Sequence, residues 1–80
     1  MAIRYSKHAD RRLTERGIPK TWLETTIANP DRETADPRDP GLTRAYKRLP
    51  EAAGHVLRVV YIKSRGDTVI ITAFLDRDAE

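Results

Sequence analysis

The sequence predicts an α+β domain of order β-α-α-β-β-β, with two N-terminal helices packed on one face of an antiparallel sheet. Two observations predict this fold. Apolar residues recur at helical spacing in the first third of the chain, and three strand-like runs, two of them rich in β-branched residues, follow in its second half. No proline interrupts those runs. A chain of 80 residues is sized for one domain, predicted to span 1–80.

The first elements are a short strand and a helix. Residues 3–5 alternate apolar and basic side chains, which predicts the strand. Ser6 is a favourable N-cap and Gly17 a favourable residue after a last turn, so a helix is predicted between them. Ala9 and Leu13 lie one turn apart and form its apolar stripe.

A second helix is predicted to begin near Pro19 and to end before Asn29 and Pro30. Proline has no backbone N–H, and the first turn of a helix tolerates that loss. Trp22 lies at the helical spacing of its apolar residues and is predicted to be a core anchor. Residues 29–42 contain three prolines, a glycine and many charges but no apolar period, which predicts a mobile loop.

Three strands are predicted in the second half of the chain, over 43–49, 55–63 and 68–75. The sequence Ser-Arg-Gly-Asp at 64–67 is typical of a turn between two strands. The last strand is the most hydrophobic and is therefore expected to lie in the centre of the sheet.

The composition excludes several classes of protein. There is no cysteine, so disulfides and thiolate metal sites are excluded, and a reducing compartment is expected. No apolar run approaches the length of a membrane span, and no signal-peptide core follows the first methionine. We therefore expect a cytoplasmic protein with no membrane partner.

Charge is segregated along the chain. Basic side chains outnumber acidic ones by six to two in residues 1–20 and by four to one in residues 41–60. In residues 21–40, five acidic side chains outnumber two basic ones. With a pI near 9.6, this segregation favours a polyanionic partner such as nucleic acid.

Several polar residues stand out against this framework, and each has two interpretations. Arg58 interrupts an apolar strand with no acid in the adjoining strands, so it either binds a phosphate or reaches solvent at an edge. The row Arg44, Tyr46 and Arg48 shares one strand face, and is either an RNA-binding surface or an ordinary solvated face.

The first helix carries a third feature. His8, Arg12 and Arg16 form a row along one border of its buried stripe. The two arginines either extend over the core edge while the histidine caps a pocket, or the row faces polar residues of the sheet such as Thr72 and takes part in chemistry.

Other chemistries lack the residues that they need. Two histidines without cysteine make a poor metal set, and there is no nucleophile elbow, phosphate-binding glycine loop or dinucleotide fingerprint. The remaining histidine, arginines, tyrosine and threonines suit cofactor-free and metal-free cleavage of RNA through the neighbouring 2′-OH.

A resemblance to a known family rests on four stretches of the sequence: HADRRLTERGIP, IANPDR, LRVVY and VIITAFLDR. Over most of residues 3–77 the chain resembles an uncharacterised family of short bacterial and phage domains. That family is grouped with the RelE/ParE-like and BrnT-like toxins, in the wider fold class of barnase-like and colicin-type ribonucleases. The resemblance implies a RelE/barnase-like toxin fold and an RNA-cleaving toxin that acts on RNA, in some cases on the ribosome, and is neutralised by an antitoxin protein.

The resemblance also implies positions for the site, namely His8 and Arg12 on the helix, Arg58 on the middle strand and Thr72 on the last. Our first hypothesis is a metal-independent endoribonuclease in which the histidine transfers protons and the arginines hold the scissile phosphate. The threonine would hydrogen-bond a phosphate oxygen or orient the histidine, whereas Arg16 is given a structural role. The second hypothesis is a non-catalytic module that binds nucleic acid or protein with the same residues. The third is an interaction domain whose histidine is packed in the core.

Overall fold

The helices and strands follow the predicted order, with one additional strand. In the computed structural model, which describes residues 2–76, the α+β class is confirmed. The elements are β1 (Ile3–Tyr5), α1 (Lys7–Arg16), α2 (Lys20–Ala28), β2 (Arg32–Ala35), β3 (Thr43–Arg48), a short 3₁₀ helix (Pro50–Ala52), β4 (Val56–Ser64) and β5 (Asp67–Asp76). The remaining positions of the predicted domain 1–80 lie outside the described residues.

The five strands form one mixed sheet in the order β1-β5-β4-β3-β2. β1 pairs with β5 in parallel and the other neighbours are antiparallel, so the prediction of a purely antiparallel sheet is wrong for β1. The two helices and three strands between β1 and β5 provide the long connection that a parallel pair needs. The central strand is β4 rather than the more hydrophobic β5, since the additional strand β2 extends the sheet beyond β3.

Local capping signals fix α1 as predicted. The Ser6 hydroxyl accepts a hydrogen bond from the Ala9 N–H at 3.0 Å. At the other end Gly17 adopts a left-handed conformation with φ of 65°, and its N–H reaches the last carbonyls of the helix. Ala9 and Leu13 are buried, so the predicted stripe faces the core.

The second helix docks through a residue that the sequence did not single out. Leu23 is fully buried, whereas Trp22 is only partly buried at the border of the core. Thr26 is also fully buried, and its hydroxyl donates to the Trp22 carbonyl at 2.8 Å. The predicted core anchor is therefore a peripheral contact, and Leu23 takes the central place.

The core lies between the two helices and one face of the sheet. From the sheet it receives the alternate side chains of the three long strands, Ala45, Leu57, Val59, Tyr61, Ile70 and Ala73. Both helices pack on this face, α1 on β5 and α2 on β3 and β4. The opposite face, called here the open face, is covered by neither α1 nor α2.

A register shift between Val60 and Tyr61 changes which side chains of β5 face the core. Val60 pairs with Thr72 but Tyr61 pairs with Ile70, so Ile71 is the extra residue of a β-bulge. The bulge places Ile70 in the core and Thr72 on the open face. Strict alternation predicts the same face for both residues, and that prediction is wrong.

The predicted loop over 29–42 is wrong in part, because Arg32–Ala35 forms β2 and pairs with β3. All four residues of β2 are exposed, so the strand lacks the apolar alternation that marks one in a sequence. Its contacts with the sheet hold it in place. The Tyr61 hydroxyl donates to the Glu33 carboxylate at 3.0 Å, and the Asp31 N–H donates to the Tyr46 carbonyl at 2.8 Å.

The hydroxyl that holds β2 makes the fold sensitive to alkali. Burial and the contact with Glu33 raise the pKa of Tyr61 to about 12, above its value of about 10 in an unfolded chain. The resulting stability is full below pH 10 and is lost as the pH rises from 10 to 12, by about 3 kcal/mol at most.

A Tyr61→Phe variant has no such ionisation. Its free energy of unfolding should therefore fall less than that of the parent between pH 9 and 11.5, as measured by urea titration. Parallel pH profiles for the two proteins would contradict the role given to Tyr61.

Candidate nucleic-acid interface

Four side chains form a straight row across the open face, one from each of four adjacent strands. Arg32 pairs in register with Tyr46, Tyr46 with Arg58, and Arg58 with Phe74. Cations and aromatic rings therefore alternate across the sheet. We call this set the cation–aromatic row.

Each arginine of the row lies over a neighbouring ring. The guanidinium carbon of Arg32 is 4.4 Å from the centre of the Tyr46 ring, and that of Arg58 is 4.1 Å from the centre of the Phe74 ring. Both distances are well inside the range of a cation–π contact. The rings form the base of the row and the guanidinium groups lie above them.

Arg58 has an acidic neighbour that the sequence analysis did not foresee. Its guanidinium is 3.8 Å from the carboxylate of Asp76 at the end of β5, so the prediction of an arginine without a nearby acid is wrong. The prediction ended the last strand one residue too early, at 75. The Arg58 Nε is buried and has no hydrogen-bond partner within residues 2–76, so part of its donor capacity stays unused.

The phenol of Tyr46 is surrounded by polar side chains. Burial disfavours its ionisation, but the contacts of its oxygen with Arg44, Arg58 and Thr34 outweigh that effect and lower the pKa of Tyr46. Tyr46 is thus a titratable group of the open face that two arginines favour in its anionic form.

The other two residues of the predicted RNA-binding row are partly used by the protein itself. The Arg44 guanidinium forms an ion pair with Asp36 at 3.1 Å, and Asp36 also accepts the backbone N–H groups of Arg38 and Asp39. These hydrogen bonds, that of Arg38 above all, lower the pKa of Asp36. The Arg48 guanidinium donates to the Gly54 carbonyl at 2.7 Å.

Arg16 reaches the open face from the end of α1. β1 pairs with residues 68–70, so among residues 2–76 no strand pairs with residues 71–75 of β5 on that side. The Arg16 guanidinium donates there to the Ala73 carbonyl at 2.8 Å and to the Thr72 hydroxyl at 3.4 Å, and lies 5.7 Å from the centre of the Phe74 ring. The residue that sequence analysis treated as structural is therefore the helix residue that touches Thr72.

His8 and Arg12 lie apart from this face. The Arg12 Nε approaches the His8 Nε2 at 3.5 Å, and both side chains are exposed on α1. His8 is two turns, about 12 Å along the helix axis, from Arg16. The four predicted catalytic residues thus fall into two groups, His8 with Arg12 on the helix and Arg58 with Thr72 on the open face. The exposure of His8 contradicts the hypothesis that it is packed in the core.

The open face is predominantly cationic. Among the described residues, Arg16 and Arg32 form no ion pair with a carboxylate, although both lie against its rings. At one end of the row is a shallow pocket of about 240 Å³, called here the Asp31 pocket. It is lined by Asp31, Arg32, Tyr46, Lys47, Arg48 and Val56.

A family model described as a domain of unknown function, DUF4258, matches residues 5–75 of this chain. The chain belongs to the DUF4258 family. This confirms the expected membership of an uncharacterised family, but nothing in the match supports the expected relationship to RelE/ParE-like or BrnT-like toxins. No curated protein and no solved structure matches the chain.

The matched range of the DUF4258 domain contains the whole cation–aromatic row and Arg16. Two members of the row stand out in the sequence, Tyr46 by strand alternation and Arg58 as a charge in an apolar strand, whereas Arg32 and Phe74 do not. Finding Phe74 required the register of β5 past the bulge, and finding Arg32 required a strand without an apolar pattern.

Two further findings concern the described part of this DUF4258 domain. Within residues 2–76, no group of three or more His, Asp and Glu side chains is placed to hold a metal ion. Neither α1 nor α2 is long and apolar enough to cross a membrane.

Proposed function

We propose that this DUF4258 domain binds single-stranded RNA on its open face. The observation that carries the proposal is the cation–aromatic row, in which Arg32 and Arg58 lie over the rings of Tyr46 and Phe74. Arginine planes and aromatic rings are the groups on which unstacked bases stack, and guanidinium groups also bind phosphate in bidentate fashion.

The shape of the face favours a single strand over a duplex. Neither α1 nor α2 projects from it to enter a major groove, and side chains spread over a sheet contact splayed bases instead. Adjacent strands lie about 4.8 Å apart, so the row spans about 14 Å, long enough to contact more than one base of a splayed strand. The exposed Arg32 at one end and Arg16 at the other extend the cationic surface along this path.

The proposal is tested by fluorescence anisotropy with a labelled octanucleotide as single-stranded RNA, as DNA of the same sequence and as duplex RNA, between 50 and 300 mM salt. We expect saturable binding of the single strand, weaker binding of the duplex, and a linear decrease of log K with log salt. Failure to bind RNA at 50 mM salt, or equal affinity for the duplex, would contradict the proposal.

Metal-independent cleavage of the bound RNA is a second candidate, favoured by the contacts that lower the pKa of Tyr46. In its anionic form, which the contacts with Arg44 and Arg58 favour, the Tyr46 oxygen would take the proton of the 2′-hydroxyl, and the 2′-oxygen would attack the adjacent phosphorus. The bond to the 5′-oxygen of the next nucleotide would break, that oxygen would take up a proton from solvent water, and Tyr46 would then release its proton to solvent. The products would be a 2′,3′-cyclic phosphate and a 5′-hydroxyl, with Arg58 offsetting the charge of the transition state.

Incubation of RNA in EDTA, with analysis of the ends, tests this candidate. Tyr46→Phe should reduce cleavage by about 100-fold or more while the protein remains folded. If His8 and Arg12 are the catalytic residues instead, His8→Ala should reduce cleavage more than Tyr46→Phe does. If cleavage occurs in cells, an antitoxin protein would neutralise it by covering the open face, and cytoplasmic mRNA, including mRNA on the ribosome, would be the substrate.

A further inference from the structure

The Asp31 pocket lies beside the cation–aromatic row and has the dimensions of a site for one nucleobase. Its volume of about 240 Å³ is below the roughly 300–1,000 Å³ of pockets for drug-sized ligands. Val56 is 4% exposed and contributes an apolar side chain, and the two arginines Arg32 and Arg48 also line the pocket. A planar base is the kind of ligand that contacts apolar and guanidinium surfaces together.

Asp31 gives the pocket an anionic hydrogen-bond acceptor in otherwise cationic surroundings. Its carboxylate accepts the Arg48 backbone N–H at 2.9 Å and lies 3.6 Å from the Lys47 ammonium. These contacts fix the orientation of the carboxylate, and the N–H of Arg48 in particular lowers the pKa of Asp31, so that the group is ionised at neutral pH. The Asp31 side chain remains 57% exposed, and its oxygens keep lone pairs for further donors.

This donor and acceptor pattern matches one base better than the others. Guanine carries two adjacent N–H donors, at N1 and the 2-amino group, which suit a carboxylate. Its O6 and N7 are acceptors, which suit the guanidinium group of Arg32 or Arg48. Adenine, cytosine and uracil lack that pair of adjacent donors, so they would leave one carboxylate oxygen without a donor from the base.

We propose that the Asp31 pocket binds one guanine base of the RNA strand, with the Watson–Crick edge of the base on the Asp31 carboxylate. This inference rests on the proposed RNA binding. Arg32 belongs both to the pocket and to the cation–aromatic row, so a strand that crosses the row brings one of its bases to the pocket.

The test compares U₈ with oligonucleotides that carry one guanosine, adenosine or inosine in the same uridine background. The parent should prefer the guanosine oligonucleotide by about tenfold over the adenosine one. Inosine lacks the 2-amino group and should lose most of that preference. An Asp31→Asn variant should lose the preference for guanosine over adenosine. Asp10→Asn, on α1, is the matched control and should keep the preference for guanosine.

The outcomes separate this inference from the proposed function. Equal binding of all four oligonucleotides by the parent overturns the guanine site and leaves RNA binding intact, whereas no binding of any of them overturns RNA binding itself. The inosine comparison uses the parent protein alone, so it tests the guanine site even if Asp31→Asn does not fold. Free GMP should bind more weakly than the guanosine oligonucleotide, and tighter binding of GMP would overturn the assignment to RNA.

Discussion

Replacing Arg32 and Arg58 together by glutamine is expected to lower the affinity for single-stranded RNA by at least about tenfold at 50 mM salt. The two guanidinium groups are the ones that lie over the rings of Tyr46 and Phe74. The substitution removes two cations from the strand's path and also removes the planes on which bases would stack. The slope of log K against log salt should fall by about 0.7 for each phosphate that an arginine no longer neutralises.

The matched control is the replacement of Lys7 and Arg11 by glutamine. It changes the net charge by the same amount, but both residues are exposed on α1, a turn apart and on the side away from the buried Ala9. Its affinity and salt slope should stay close to those of the parent. Equal decreases in affinity for the two double variants would show that net charge, and not the cation–aromatic row, determines binding.

A thermal unfolding curve separates an effect on binding from an effect on folding in this comparison. The Arg58 stem is partly buried and its head lies near Asp76, so its replacement should cost some stability. Arg32 is exposed and has no ion pair within residues 2–76, so its replacement should cost little. Affinity is therefore to be measured well below the unfolding temperature of the double variant.

The parts of the fold that local chemistry determines could be predicted from the sequence. The ends of α1 follow from the Ser6 hydroxyl and from the left-handed Gly17, both of which act within one turn. The faces of β3 and β4 follow from alternation, which placed Tyr46 and Arg58 with their correct neighbours. Each of these features depends on residues close in sequence.

The parts that failed depend on residues distant in sequence. β2 has no apolar alternation of its own, and pairing with β3 and the Tyr61 hydroxyl hold it. The bulge beside Tyr61 exists only as a relation between two strands, so no pattern within β5 indicates that Ile70 turns to the core. A periodic pattern predicts a strand more readily than its register.

The candidate site shows the same division. Alternation placed Arg58 and Thr72 on their strands, but the choice between His8 and Arg16 as the helix residue near Thr72 depends on how α1 crosses β5. That crossing is set by the packing of Leu13 and its neighbours, which the helical periodicity does not specify. The structure places Arg16 there, two turns from His8.

Leu23→Ala is expected to be among the most destabilising single substitutions in this domain. Leu23 is fully buried where α2 packs on the sheet, and removing such a side chain typically costs about 2–5 kcal/mol. A domain of 80 residues has a total stability of only about 4–12 kcal/mol. The variant should therefore unfold at a much lower urea concentration than the parent and be partly unfolded without denaturant if the parent lies near the lower limit.

Leu23→Met is the matched control, because it nearly conserves volume and should cost less than about 1.5 kcal/mol. α2 packs on β3 and β4, whose other face carries Tyr46 and Arg58. RNA affinity of Leu23→Ala should therefore fall only in proportion to its unfolded fraction and return at temperatures where the variant is folded. A variant that is fully folded by circular dichroism yet does not bind RNA would show that RNA binding depends on α2, which would contradict a site confined to the open face.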